Sequence, residues 1–86
     1  TADPQFQSAI QACAVALHRM ADYELDPPLH RRIHELGERK EFLTSAEHEE
    51  LLALVAFVHK RTIEKLEAQT ALARLRTAIP GVLPDL

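Results

Sequence analysis

Apolar positions recur at helical spacing in three stretches of the chain. Phe6, Ile10, Cys13, Ala14, Leu17 and Met20 or Ala21 form the first stripe. Gln7, Gln11, Arg19 and Asp22 fall off it, as an amphipathic helix requires. Asp3-Pro4 supplies a capping carboxylate and a proline pre-shaped for the first turn. The pattern predicts a helix over residues 4–22. Leu29, Ile33 and Leu36 make a narrower stripe among Arg31, Arg32, Glu35, Glu38, Arg39 and Lys40. Asp26-Pro27-Pro28 ends the first region and opens the second, which predicts a helix over 28–40. Gly37 weakens its end by about 1 kcal/mol relative to Ala. The short 23–27 corner makes these two helices an expected antiparallel pair.

The third stretch opens on Thr44-Ser45-Ala46-Glu47, a capping box in which hydroxyl and carboxylate exchange bonds with each other's backbone N–H. Neither Pro nor Gly interrupts residues 45–78, and Pro80-Gly81 stops the run. Leu51, Leu52, Val55, Val58, Thr62, Ile63 and Leu66 form a broad apolar face, and Leu72, Leu75 and Ile79 carry a rotated stripe onward. Val82-Leu83-Pro84 reads as an extended apolar tail over 80–86. A helix over 45–78 is about 50 Å long, against a domain diameter of about 30 Å. The expected fold is therefore all-α and a single domain over 1–86: a helical hairpin packed on the first half of a long third helix. The distal half is expected to overhang as a partner surface carrying Leu66, Leu72, Leu75, Arg76, Ile79, Val82 and Leu83.

Composition narrows the function. The chain has 86 residues, 47% of them apolar, so it is globular rather than disordered. Its net charge of −3 is wrong for a general nucleic-acid binder, and direct nucleic-acid binding is not expected. The charge is unevenly divided, −5 over residues 22–50 and +3 over 51–79. That division suits an antiparallel homodimer through the third helix, or a charged protein partner. The longest unbroken apolar run, Leu51 to Val58, is too short to span a bilayer, which needs about 20 residues. Thr1 to Gln7 carries Asp3 and no cation, unlike a secretion signal. One cysteine forbids an intrachain disulfide, so a reducing, cytoplasmic setting is the expectation.

Candidate chemistry is sparse. His30 and His34, at i and i+4, are the best candidate metal ligands, with His18, His48 and His59 available to complete a site. Leu29 and Ile33 own the core stripe, however, so a solvated helix flank is the favoured reading, with no metal or cofactor. No Glu-x-x-His pair of the di-iron bundles occurs. Cys13, among Ala12, Ala14 and Val15, reads as a buried structural thiol. Thr44 and Ser45 serve the cap, no phosphate-cradling glycine loop exists, and no enzyme activity is expected. Residues 40–47 are not a DNA-reading corner, because the following helix is too long and begins with acid.

Leu25-x-x-x-Leu29, Arg32-Ile33-x-Glu35-Leu36 and Leu43-Thr44-x-x-Glu47-His48-x-Glu50-Leu51 stand ahead of Glu64-Lys65-Leu66-Glu67-Ala68 and Ala71-Leu72-Ala73-Arg74-Leu75-Arg76. This series, over residues 25–76, resembles a group of short all-helical bacterial proteins often encoded upstream of HNH-type nucleases. The resemblance implies an antitoxin-like partner of another bacterial protein, a nuclease or toxin. It implies no catalytic residue. The rival readings are a His-based metal-binding protein and a small dimeric DNA-associated regulator.

Overall fold

A computed structural model describes residues 3–80. Three α-helices carry it: α1 (Pro4–Ala21), α2 (Pro27–Glu38) and α3 (Ser45–Ala78), with one turn of 3₁₀ helix at Lys40–Phe42. The all-α expectation holds, and both α1 and α2 pack on the long α3. The predicted helices agree with these bounds to within two residues. Val82 and Leu83 of the expected tail lie outside the described residues.

The helix starts follow local chemistry. Asp3 caps α1, accepting the Gln5 N–H at 3.1 Å, and Pro4 takes the first helical position. Asp26 precedes α2 without a side-chain cap bond, and Pro27 and Pro28 pre-set its first turn. At the start of α3 the Thr44 N–H donates to Glu47 Oε1 and the Glu47 N–H donates to Thr44 Oγ1, both at 3.1 Å.

Two compact units divide the chain. One joins α1 to the part of α3 from Ile63 onward. Its core is Ala14, Ala21, Ala68 and Leu72, with Leu17 and Met20 packed against it. Three of the four core residues are alanines, whose small side chains let the two helices approach closely. The last carbonyls of α1 have no partner within their own helix. Gln69 Nε2 donates to the carbonyl of Ala21, the last residue of α1, at 3.4 Å, and Lys65 Nζ to that of Tyr23, two residues further on, at 3.0 Å. These bonds fix where α1 ends against α3.

This unit corrects two expectations. The distal part of α3 is not an overhang, because α1 covers one side of it, and Leu72 is a core residue at 5% exposure. Cys13 is exposed rather than buried. One residue on a helix is a turn of about 100°, so directing Ala14, Leu17 and Ala21 toward α3 rotates Cys13 away.

The second unit, Glu24–Thr62, is a hairpin of α2 and the start of α3. Its one fully buried side chain is Leu36. Arg32 grips Glu50 with two bonds, Nε to Oε2 at 2.7 Å and Nη2 to Oε1 at 2.8 Å, and also meets Glu35 at 3.2 Å. Arg39 donates to Glu47 Oε2 at 2.8 Å. The bidentate Arg32–Glu50 fork fixes orientation as well as contact. It turns the Glu50 side of α3 toward α2. Within this unit the broad face expected to be core is therefore exposed, Leu52 at 57% and Val55 at 50%; further along α3, in the first unit, Ile63 and Leu66 of the same expected face are exposed at 45% and 56%.

Two stability outcomes follow from this packing. Leu72→Ala should destabilise by about 2–4 kcal/mol, as large-to-small core changes do, measured by urea unfolding. A Cβ at Gly37 would meet nothing within 4 Å. Gly37→Ala should therefore stabilise by about 0.5–1 kcal/mol and raise the melting temperature by several degrees. An unchanged or lower melting temperature would contradict the open surroundings of Gly37.

Candidate interaction surface

The candidate partner residues of the distal helix separate into two groups. Leu72 belongs to the core. Leu66 is exposed beside Ile63, and the two line a shallow groove of about 540 Å³ completed by Glu67, Thr70, Ala71 and Arg74. Leu75 and Ile79 are half-buried and Arg76 is exposed. Leu66 thus keeps a place on an open surface, with Ile63 as its neighbour and Arg74 as its charged edge.

In the hairpin unit, Leu25, Ile33, Val55 and Val58 line an apolar groove of about 440 Å³. His30, His34, His59 and Thr62 complete its wall. Shared lining is not shared ligation, however. Among the described residues, no group of three or more His, Cys, Asp or Glu stands where it could hold a metal ion. His34 Nε2 instead lies 3.0 Å from Glu38 Oε1, a local i, i+4 pair on α2. A second apolar recess of about 370 Å³ opens beside Leu29, Ala53, Leu54 and Phe57, with Glu50 at its edge.

The sequence pattern puts Leu52 and Val55 on the expected core face, whereas they are surface residues in this structure. The signal was available in α3 itself. Apolar residues occupy more of its circumference than two short helices can cover, with Leu54 and Phe57 on a different side from Leu52 and Val55.

The surface's electrostatics are local. Bonds from the Thr44 N–H and then from Arg39 hold the Glu47 carboxyl below the ordinary glutamate range. The Arg32 fork does the same to Glu50. Among the described residues, no helix is long and apolar enough to cross a membrane. No protein-family model matches the chain, and neither a curated protein nor a solved structure matches it.

The two depressed carboxyls predict an acid dependence. Their stabilisation is complete above the unfolded glutamate value of about 4.3 and is lost as pH falls through the lower folded values. Melting temperature should therefore fall below about pH 4.5. Glu50→Gln should lower it at pH 7 and flatten the acid-side fall. An acid limb of the same steepness in Glu50→Gln would contradict the role given to the Arg32 fork.

Proposed function

We propose that this chain is a non-enzymatic helical interaction module that binds a protein partner through exposed apolar helix faces. One observation carries the reading. Among the described residues, eight large apolar side chains, Phe42, Leu52, Val55, Ile63 and Leu66 included, are 44–82% exposed, while five hydrophobic residues make up the buried core. An apolar surface of that extent on so small a chain supports an interface. Burying a large apolar side chain contributes about 1.5–3 kcal/mol, so three or four anchors support micromolar binding.

Leu66 and Ile63 are the anchors of the partner groove, and the exposed Arg74 and Arg76 steer toward an acidic surface. Helix-in-groove docking suits this arrangement. The resemblance of residues 25–76 to the short bacterial helical proteins supplies the candidate partner class, a nuclease or toxin held in an antitoxin-like complex.

Capture of a partner by the tagged chain, identified by mass spectrometry from the native host, tests the reading. Leu66→Asp should abolish capture while leaving helicity and melting temperature within the range of surface substitutions, because Leu66 is already exposed. Equal capture by wild type and Leu66→Asp would refute Leu66 as an anchor. Absence of any specific partner would refute the reading itself.

A further inference from the structure

We infer that the exposed face of α3 in the hairpin unit is a self-association surface, and that its occupant is a second copy of the same face running antiparallel. The inference rests on the reading of exposed apolar faces as binding surfaces, but it concerns residues 45–62 of α3; Leu66 continues the same side and, in the register below, falls opposite position 41, ahead of the second copy's α3. Ser45, His48, Leu52, Val55, His59 and Thr62 share one side of α3, and all six are exposed. None carries a formal charge when histidine is neutral. Charge depletion at the centre with charge at the rim is the composition of an interface core.

One feature allows a second copy as the occupant and another chooses it. The first is spacing. The six positions advance by steps of three, four, three, four and three, the alternation of a helix face, which can pair with its own reverse. An antiparallel copy centred between Ala53 and Leu54 therefore sets Leu52 on Val55 of the second copy and His48 on its His59. Ser45 meets its Thr62. The register closes on itself about a two-fold axis, as an isologous dimer requires.

The second feature is charge. Glu49 and Lys60 flank this face on the same side, both exposed. Neither makes an ion pair with a described residue. In the antiparallel register, Glu49 of each copy comes beside Lys60 of the other, twice per dimer. A parallel copy instead sets both charges against the uncharged flank of Leu51 and Val58. Ala56 borders the face on the Glu49 side, small enough for the two helices to approach closely. The arrangement is thus an apolar centre, a complementary rim and a fixed direction.

Sedimentation equilibrium of the full chain over about 5–500 µM at low salt tests the inference. The wild type should be dimeric in the upper part of that range. Leu52→Glu should raise the dissociation constant at least about 100-fold, since a carboxylate would be buried on a dry seam. Circular dichroism should show unchanged helicity for this already exposed position. Glu49→Lys should weaken the dimer by about tenfold, and adding Lys60→Glu should restore most of the loss. Leu66→Glu should leave the dimer intact. A wild type that is monomeric throughout overturns the inference. So does a Leu66→Glu effect as large as that of Leu52→Glu, or a charge reversal that the second substitution fails to rescue. A monomeric wild type that still captures its protein partner through Leu66 overturns the dimer alone and leaves the interaction module standing. A dimer with this mutational pattern but no captured partner supports the dimer and removes that module.

Discussion

Close packing at alanines governs what the rest of α3 can do. Ala14, Ala21 and Ala68 bring α1 and the distal part of α3 together with little side-chain bulk between them, and Leu72 fills the space beside them. A seam of small residues buries little apolar area in return for close approach, so several large side chains of that unit stay outside it. Phe6, Val15, Ile63 and Leu66 are the result, all at least 44% exposed. The hairpin unit reaches the same condition by another route. Its orientation is set by a bidentate arginine fork and a capping box, and Leu36 alone is fully buried there. Polar geometry fixes which side of α3 faces α2, and the leftover side is apolar.

That division of labour matters because α3 is apolar around much of its circumference. Leu54 and Phe57 lie toward one flank, Leu52 and Val55 toward another, and Ala68 and Leu72 face α1. Two helices of 18 and 12 residues cover part of a 34-residue helix and leave the remainder to water or to another chain. For a small domain this is a substantial exposed apolar area, and association is the ordinary way such area is removed from water.

The helices themselves were legible from local signals. Asp3-Pro4, the Pro27-Pro28 pair, the Thr44-to-Glu47 box and the Pro80-Gly81 stop each act within a few residues, and each predicted boundary lies near the observed one. Which face of α3 would be buried was not legible in the same way. Periodicity identifies the apolar stripes but does not rank them, and the broader stripe of Leu51 to Leu66 was the natural choice for the core. The deciding contacts are long-range: Arg32 with Glu50, 18 residues apart, and Gln69 with the Ala21 carbonyl, 48 residues apart. Ala14 and Ala21 stood in the first stripe, but alanine gives a weak hydrophobic signal even where it makes the closest helix contact. The exposure of Cys13 has the same origin, since it depends on the rotation of α1 about its axis.

On the proposed function, the uncharged, exposed side of α3 is covered when the protein acts. Hydrogen exchange of backbone amides, followed as a function of protein concentration and of added partner, tests it most directly. Protection across residues 51–66 should rise on association, while the amides around Ala68 and Leu72, already packed against α1, change little. Exchange across 51–66 that stays the same from the most dilute to the most concentrated sample, with or without partner, would contradict the account.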